Sequence, residues 1–263
     1  MIISIVTVVR NGEATIAQTL ASVAAQEGQE YEHIIVDGAS TDNTLQIARR
    51  HQTSRVRIIS EPDLGIYDAM SKGLRMATGD VVGFLNADDF FCRVDALASI
   101  AAEFRSHPTL DAVSGGLVLV DQADTSKIAR AVSPFRHRPW AMRFGVMPPH
   151  PSTYVRRDAA MKIGGFDGSF AIGGDFDWFV RFFYVHRFRI GALRKTLVAQ
   201  RKGGVSTQGL ASARRLNADI SRSLRQHGIA SSPLLVWSKY VVKIWQFTSR
   251  PSDFPPPGSV RFE

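Results

Sequence analysis

Short runs of apolar and β-branched residues alternate, over the first 120 residues, with segments whose apolar residues recur every three or four positions. The runs have the length of buried strands, and the segments between them have the spacing of amphipathic helices. This alternation is typical of an α/β protein with a mostly parallel sheet flanked by helices. The predicted strands are 3–9, 33–36, 56–60, 81–85 and 112–120, and the predicted helices are 14–26, 42–50, 66–77 and 95–104.

The alternation weakens after residue 120, and the C-terminal part reads differently. Segment 234–247 is apolar and aromatic, but it carries Lys239 and Lys243 and is shorter than the roughly 20 apolar residues that a membrane span requires. Two arrangements fit it equally: a helix lying in a membrane interface, or a helix packed on the body of the protein. The first apolar run has no basic residues before it and soon meets Arg10, so it does not predict a signal peptide.

Composition narrows the class of protein. The 263 residues are 44% hydrophobic and 21% charged, as expected of a folded globular chain. The single cysteine, Cys92, can form neither an internal disulfide nor a thiolate metal site, which favours a reducing, intracellular location. The glycine-rich motifs of dinucleotide-binding proteins and P-loop enzymes are absent, as is the nucleophile elbow of the hydrolases.

Charge is divided unevenly along the chain. Residues 1–180 contain 17 Lys and Arg against 21 Asp and Glu, whereas residues 181–263 contain 15 against 3. The net charges of −4 and +12 predict that the C-terminal part is attracted to an anionic surface, either a membrane leaflet or a nucleic acid, although a solvated basic face is the plainer alternative. The basic part has no recognisable base-reading module, so we expect a membrane and no nucleic acid.

Acidic residues follow three of the predicted strands directly. Asp37 follows the second, Glu61 and Asp63 follow the third, and Asp88 and Asp89 follow the fourth. Because the carboxyl ends of parallel strands share one edge of a sheet, we expect these side chains to lie near a ligand site. Neighbouring carboxylates repel one another, which favours a Mg²⁺ or Mn²⁺ ion between them. Aspartate is also a common turn and helix-capping residue, and that reading stays open for each position.

A glycine-rich segment later in the chain carries two further acids. Gly173 and Gly174 permit a close turn, and Asp175 and Asp177 follow at the start of a predicted helix, whose positive end favours a carboxylate. Two residues apart on a helix, they point in different directions. We therefore expect Asp175 to face the site and Asp177 to fit an N-terminal capping position.

Taken in order, these stretches resemble the family 2 glycosyltransferases of the GT-A fold, in particular bacterial enzymes that build cell-surface polysaccharides. The resemblance covers residues 2–205 and implies a GT-A domain over 1–207. Its first part, 1–120, would bind a nucleotide sugar, its second, 121–207, would bind the acceptor, and 208–263 would be a helical basic extension. The stretches that carry the resemblance are 4–11, 36–44, 60–70, 77–80, 85–89 and 173–178, with Arg181.

The resemblance also assigns roles in the donor half. Asp63, Asp68 and Lys72 would lie in a loop and helix where donor contacts are common, although Asp68 and Lys72 are also an ordinary i,i+4 helix pair. Asp89 would coordinate the Mn²⁺ or Mg²⁺ that bridges the diphosphate. The remaining implied donor contacts are Thr7, Val9 and Asn11 along the nucleotide pocket, Asp37 on the nucleobase and Asp88 on the ribose.

In the acceptor half, the resemblance implies that Asp175 is the general base that takes the proton of the acceptor hydroxyl in one inverting displacement. That mechanism needs no enzyme nucleophile, so Cys92 has no expected catalytic role. His150, with Asp177 as a further candidate, would line the acceptor side, against the alternative of a structural histidine. Segment 203–207 resembles a flexible segment that folds over the donor. Lys202 and Gly203 stand where processive synthases have an Arg-Trp ending, which favours single addition.

The resemblance therefore implies a metal-dependent, inverting transferase that moves one sugar from a nucleoside diphosphate sugar. A UDP-sugar is favoured over a GDP-sugar, with a glycan or polyprenyl-linked acceptor at the cytoplasmic face of the membrane. Two departures bear on this: Arg10 replaces a common aromatic residue, and Gly174 replaces a common Glu. A sugar nucleotidyltransferase is disfavoured because no glycine-rich basic loop follows the first strand. The intact Asp88, Asp89 and Asp175 disfavour a catalytically silent scaffold that binds membrane or a partner.

Overall fold

The computed structural model describes residues 1–203 and 209–248. The strands are β1 (Ile3–Val9), β2 (Tyr31–Asp37), β3 (Val56–Ser60), β4 (Val81–Phe84), β5 (Asp89–Phe91), β6 (Ala112–Val120), β7 (Ile128–Val132), β8 (Thr153–Arg156) and β9 (Ile190–Arg201). The helices are α1 (Ile16–Ala24), α2 (Thr44–Arg50), α3 (Ile66–Met76), α4 (Ala96–Ser106), α5 (Arg157–Ile163), α6 (Gly174–Val180), α7 (Gly209–Gln226) and α8 (Pro233–Thr248).

The first half of the chain forms the parallel part of the sheet, as the hydrophobic pattern predicts. Strands β3, β2, β1 and β4 are adjacent and parallel, with Val9 opposite Asp37 and Asp37 opposite Ser60. All seven residues of β1 are buried, because helices cover both faces of the sheet. The carboxyl ends of these strands consequently lie along one edge, where the predicted acidic residues follow them.

The rest of the sheet combines the predicted strand β6 with four strands outside the predicted set, β5, β7, β8 and β9. The sheet continues from β4 through β8, β6 and β9 to β5, and β7 pairs with β6. β8 is antiparallel to both β4 and β6, and β5 is antiparallel to β9. β9 lacks a continuous apolar run because Arg194 and Lys195 interrupt it, with Lys195 forming an ion pair of 3.0 Å with Asp95.

An aromatic cluster anchors α6 to the sheet. Trp178, Phe179 and Phe182 are almost completely buried, and Phe166 stacks on the Trp178 ring with centroids 5.4 Å apart. The indole N–H of Trp178 donates to the carbonyl oxygen of Gly164 at 3.0 Å. Each such buried side chain stabilises the fold by roughly 1.5–3 kcal/mol, so the first turn of α6 is held in a fixed place.

The two C-terminal helices pack on the body of the protein. α7 contacts α6, and the described part of α8 contacts β7, α7 and the turn Pro139–Phe144. In α8, Val236 and Lys239 are buried, whereas Leu234 and Trp237 are 83% and 45% exposed. No helix within residues 1–203 and 209–248 is long and apolar enough to cross a membrane. The division of the chain at residue 207 stays a prediction.

Candidate active site

A cleft of about 630 Å³ opens at the carboxyl ends of β1 and β4, on the predicted edge of the sheet. Its walls come from both halves of the chain, including β9 and the first turn of α6. Among the residues predicted for the site, it brings together Val9, Asn11, Asp88, His150 and Asp175.

Asn11 shapes the donor end of the cleft. Its backbone has a φ of 53°, in the left-handed region that asparagine tolerates better than most residues. In that conformation its N–H donates to Ser40 Oγ at 2.8 Å, and its side-chain Oδ1 accepts from the Thr41 N–H at 2.9 Å. Asn11 therefore fixes the loop that follows β2.

Asp37 and Asp63 lie beside the cleft lining. Asp37 is fully buried, and its Oδ2 accepts hydrogen bonds from the Ser40 N–H at 3.1 Å and from Ser60 Oγ at 2.6 Å. Asp63 accepts from the Gly65 N–H at 2.9 Å, and its carboxylate lies so close to Gly38 that a Cβ there would collide with it. Hydrogen bonds from neighbouring hydroxyl and backbone N–H groups therefore hold both carboxylates in place.

Thr7 lies inside the sheet, away from the cleft lining. It is fully buried in the middle of β1, and its Oγ1 is 2.9 Å from Nε2 of His33 on the neighbouring strand. Burial lowers the pKa of His33 to about 3, so the ring is neutral at physiological pH. The pair forms a buried polar contact between β1 and β2.

Asp68 and Lys72 hold the loop between β3 and α3. Lys72 Nζ is 2.9 Å from Glu61 Oε1 and 3.3 Å from Asp68 Oδ2, and it donates to the Pro62 carbonyl oxygen at 2.9 Å. Asp68 accepts from the Leu64 N–H at 3.1 Å, which together with Lys72 holds the pKa of its carboxyl below the usual range. Neither side chain is among those that line the cleft.

Two adjacent aspartates occupy different environments at the end of β4. Asp88 lines the cleft, and desolvation raises the pKa of its carboxyl while Arg201 opposes the rise. Asp89 is fully buried, and its Oδ2 accepts from Asn86 Nδ2 at 3.1 Å and from Gln200 Nε2 at 3.4 Å. Burial, and then repulsion by Asp88, raise the pKa of Asp89 well above its usual value.

These two carboxylates fit a divalent cation. Asp89 Oδ1 is buried without a hydrogen-bond partner among the described residues, which is costly for a carboxylate oxygen unless a cation or a proton neutralises it. Over residues 1–203 and 209–248 no group of three or more His, Cys, Asp or Glu could hold a metal by itself. Mg²⁺ and similar ions are commonly held by one or two carboxylates together with substrate phosphates and water, which is compatible with Asp88 in the cleft lining and Asp89 buried beside it.

Asp175 lines the cleft from the first turn of α6. Its side chain is half-buried, and its Oδ1 accepts from the Phe176 N–H at 2.8 Å. Desolvation raises the pKa of Asp175 to about 6, against the opposing effects of that hydrogen bond and of Lys239. A carboxylate with this pKa can accept a proton near neutral pH.

Asp177 faces away from the cleft. Its buried carboxylate is 3.0 Å from Arg181 Nε, and it accepts from Ser223 Oγ at 2.8 Å. His227 Nε2 lies 3.1 Å from Asp177 Oδ1, the same atom that accepts the hydrogen bond from Ser223. The side chain therefore joins α6 to α7.

The His150 ring is almost completely buried in the cleft wall. Its ring stacks on Phe84 with centroids 5.2 Å apart, and burial lowers its pKa to about 4, so it is neutral. It lines the cleft, and its Nε2 has no hydrogen-bond partner within the described part of the chain. In this arrangement Nε2 is shielded from solvent, so contact with a ligand requires the ring or the cleft wall beside it to shift.

The cleft wall also contains residues that were not predicted as site residues, among them Tyr67, Gln200 and Arg201. Tyr67 reads as an ordinary core position of a helix, and its hydroxyl donates to the Ile172 carbonyl oxygen. Arg201 ends β9, where a polar Gln-Arg pair after the apolar run 197–199 is a signal that could have indicated a site. The predicted closing segment, 203–207, lies outside the described residues except for Gly203.

Comparisons with known proteins agree with this geometry. The family model of glycosyl transferase family 2 matches residues 4–164. A PGL/p-HBAD biosynthesis glycosyltransferase of Mycobacterium bovis (strain BCG / Pasteur 1173P2) is 38% identical over 119 residues, 44% of this chain and 46% of the relative. The match thus spans less than half the length of that relative. An uncharacterized glycosyltransferase of Mycobacterium tuberculosis (strain ATCC 25618 / H37Rv) is 30% identical over 181 residues, 68% of each chain.

Solved structures show the same fold. The crystal structure of S. aureus TarS 1-349 in complex with UDP-GlcNAc has a TM-score of 0.64 at 19% identity, covering 94% of this chain and 73% of that one. The mannosyltransferase PcManGT from Pyrobaculum calidifontis, in complex with GDP-Man and Mn²⁺, has a TM-score of 0.63 at 19% identity, covering 93% and 71%. The fold is GT-A, as the sequence predicts. With a family match over more than half of its length and a sheet edge that carries the expected carboxylates, the chain belongs to glycosyl transferase family 2.

Proposed function

We propose that this family 2 glycosyltransferase inverts the anomeric carbon as it moves one sugar from a nucleoside diphosphate sugar to an acceptor hydroxyl, with Asp175 as general base. The observation that carries the proposal is that Asp88 and Asp175 line the same cleft, one on the wall from the donor half and one on the wall from α6. A displacement requires one group near the leaving diphosphate and another near the attacking hydroxyl, and carboxylates on separate walls of the cleft can serve these two purposes.

The reaction needs one proton transfer. The Asp175 carboxylate accepts the proton of the acceptor hydroxyl as its oxygen forms a bond to the anomeric carbon. On the opposite face of the sugar, the bond between that carbon and the diphosphate oxygen breaks, and the nucleoside diphosphate leaves with the electron pair. A single displacement of this kind inverts the carbon, and a pKa of about 6 leaves Asp175 mostly ionised at neutral pH.

On the donor side, we assign Val9 and Asn11 to the nucleoside and Arg201 to the diphosphate. Asp89 would hold Mn²⁺ or Mg²⁺, assisted by Asp88 in addition to the predicted contact of Asp88 with the ribose, and a bound cation would neutralise charge on the departing diphosphate. The unpartnered Oδ1 of Asp89 supports this assignment. For Asp37 we propose a role near the base through the loop that Ser40 joins to Asn11, since its fully buried carboxylate is not itself among the residues that line the cleft.

The donor is proposed to be a UDP-sugar, with a GDP-sugar as the second choice. Related folds have been solved with UDP-GlcNAc and with GDP-Man, so the fold accommodates either base. Arg10 lines the cleft where many relatives carry an aromatic residue, so its guanidinium would lie against the base in place of a ring.

The acceptor is proposed to be a glycan on a lipid carrier at the cytoplasmic face of the cell membrane. Trp237 and Leu234 of α8 are exposed, and so is Trp140 in the turn that α8 packs on. Arg143 in that turn is exposed and ties it to the start of α8 through the Ala230 carbonyl oxygen, 2.7 Å from Nε. Exposed tryptophans with nearby cations are suited to an anionic lipid surface.

The test of the transferase proposal combines binding with turnover. A nucleoside diphosphate at 100 times its dissociation constant stabilises a protein by about 2.7 kcal/mol, which for this size raises the melting temperature by about 5–10 °C. We expect UDP with Mn²⁺ to give this shift in the wild type and in Asp175→Asn. Asp175→Asn should retain binding and lose roughly 10²–10⁴-fold in transfer rate.

Asp158→Asn is the matched control, because Asp158 is an exposed aspartate in the first turn of α5. It should match the wild type in both assays. The proposal is rejected if no nucleoside diphosphate shifts the wild type with metal present, or if Asp175→Asn transfers sugar at the wild-type rate.

Membrane binding is tested separately by co-sedimentation with vesicles. We expect binding to vesicles that contain anionic lipid, weaker binding in high salt, and a loss on Trp237→Ser. Leu64→Ser is the control, since Leu64 is 93% exposed in the donor half, away from α8. Equal binding of both variants and the wild type would remove α8 from the proposal.

A further inference from the structure

The loop that leads into Asp175 is held by a helix outside the stretch that matches the family. Asp219 lies in α7, and its Oδ2 accepts hydrogen bonds from the backbone N–H groups of Ala171, Ile172 and Gly173, at 3.0, 2.9 and 3.1 Å. The Asp219 side chain is only 14% exposed, so water competes little for it. Hydrogen bonds to an ionised acceptor are roughly twice as strong as those between neutral groups.

The same loop is held from the cleft side by Tyr67. The Tyr67 hydroxyl donates to the carbonyl oxygen of Ile172, and its ring packs against Gly174. A Cβ on Gly174 would lie 2.8 Å from that ring, and a Cβ on Gly173 would lie 2.7 Å from the Cβ of Asp219. A side chain at position 173 would collide with α7 and one at position 174 with α3, so the narrow space between these helices requires both glycines.

A second contact from α7 fixes the chain after Asp175. Ser223 and His227 both lie within hydrogen-bond distance of Asp177, at 2.8 and 3.1 Å. Positions 219 and 223 are four residues apart on one face of α7, and His227 follows directly after the helix, where its N–H donates to the Ser223 carbonyl oxygen at 3.1 Å. The contacts from α7 and His227 therefore hold the backbone of 171–173 before Asp175 and the side chain of Asp177 after it.

We propose that Asp219 is a positioning residue, whose carboxylate organises loop 171–173 and thereby sets where Asp175 stands in the cleft. The inference rests on the proposed function, in which Asp175 is the general base. Ala171, Ile172 and Asp175 all line the cleft, so a displaced loop moves the wall and the base together. A misplacement of about 1 Å can cost on the order of 10²-fold in rate.

The first readout is kinetic. Asp219→Ala removes the acceptor and should lower kcat about 10²-fold, with the KM for the donor changed less than about threefold. Asp219→Asn keeps an oxygen acceptor without the charge and should lose less than about tenfold. Asp158→Ala, on an exposed helical aspartate, should match the wild type.

The second readout needs no substrate. Hydrogen exchange of the amides of 171–173 should be at least about tenfold faster in Asp219→Ala than in the wild type, and faster to a smaller degree in Asp219→Asn. Unchanged exchange in these variants overturns the contact. The positioning role is overturned if these Asp219 variants exchange faster and yet keep the wild-type kcat, provided that Asp175→Asn inactivates the enzyme.

Different results contradict the proposed function of Asp175 and the positioning role of Asp219. If Asp175→Asn keeps full activity, the proposed function fails and the positioning role falls with it, whatever the exchange data show. If Asp219→Ala does not fold, Asp219→Asn decides, because wild-type exchange and wild-type kcat in that variant overturn the proposal.

Discussion

Arg201 Nη1 donates a hydrogen bond of 2.6 Å to the backbone carbonyl oxygen of Asp88, joining positions 113 residues apart. The contact follows from the antiparallel pairing of β5 with β9, which brings the end of β9 beside the residue that precedes β5. The guanidinium also stacks on the Phe90 ring, 5.2 Å from its centroid, and donates to Gln18 Oε1. A fixed positive charge therefore lies on the cleft wall next to Asp88 and Asp89.

This charge should bind the donor diphosphate. We expect Arg201→Met to weaken UDP binding by about tenfold or more, because a hydrogen bond to a charged group is worth about 1.5–3 kcal/mol. Arg201→Lys should be intermediate, since it keeps the charge and loses the planar fork. Titration calorimetry at a temperature well below unfolding measures both. Arg194→Met, on an exposed arginine of the same strand, is the control, and an equal effect there would contradict the assignment.

The raised pKa of Asp175 should appear in the pH dependence of kcat. A general base works in its ionised form, so activity should be full above about pH 6 and fall about tenfold per pH unit below it. Stability changes in the opposite sense: the folded state favours the protonated acid, so this stabilisation is present at low pH and lost as pH rises through about 6. A pH–rate profile in which Asp175→Asn retains the same acid limb would contradict the assignment.

Asp89 should make the metal-free protein less stable at neutral pH. Its pKa is raised because the carboxylate is buried beside Asp88, so ionisation on going from acid to neutral pH opposes folding. We expect Asp89→Asn to raise the melting temperature without metal, whereas Mn²⁺ should stabilise the wild type and not the variant. Differential scanning calorimetry with and without Mn²⁺ measures this. Mn²⁺ stabilisation that survives in Asp89→Asn but vanishes in Asp88→Asn would assign the metal to Asp88 alone.

His150 should act on substrate through Nε2 while its ring supports the core. His150→Phe keeps the stack on Phe84 and removes the ring nitrogen, so it should preserve the melting temperature and reduce kcat/KM. His150→Ala should in addition lose stability by about 2–4 kcal/mol, as for other large-to-small changes in a core. Steady-state kinetics and thermal unfolding separate the two effects. Wild-type kcat/KM in His150→Phe would make the histidine purely structural.

Thr7 should matter for stability and not for the donor. Thr7→Val removes the hydrogen bond to His33 and leaves the buried Nε2 unpaired, which should cost about 1–3 kcal/mol. The UDP dissociation constant should stay within about twofold, because Thr7 does not line the cleft. Chemical unfolding and calorimetric titration test the two parts, and a large loss of UDP affinity would restore the donor-binding role that its motif suggests.

The sequence by itself determined the parallel half of the fold. β1 and β4 are apolar runs bounded by polar turns, and such runs can bury both faces only inside a helix-covered sheet. It also indicated which edge would carry the site, because aspartates directly follow strands whose carboxyl ends must align. The local motifs also predict Asp88 and Asp175 as site residues, and both carboxylates line the cleft.

Only the tertiary structure decided which of the other acidic residues face the cleft. Asp37 is held by Ser60 across a strand pair, and Asp177 by Ser223 and His227 across two helices. These partners are 23 to 50 residues away, and a local pattern encodes helical spacing or strand alternation but not which distant donor a carboxylate will meet.

The same reason explains the residues that sequence reasoning missed. Asp219 reads as one polar position on the surface of a basic helix, and Arg201 as the end of a charged strand. Each gains its place only when packing brings it against a loop from elsewhere in the chain, 46 to 48 residues away for Asp219 and 113 for Arg201. The parallel sheet and the acidic residues along its edge thus follow from the sequence, whereas long-range packing decides how those residues are held in place.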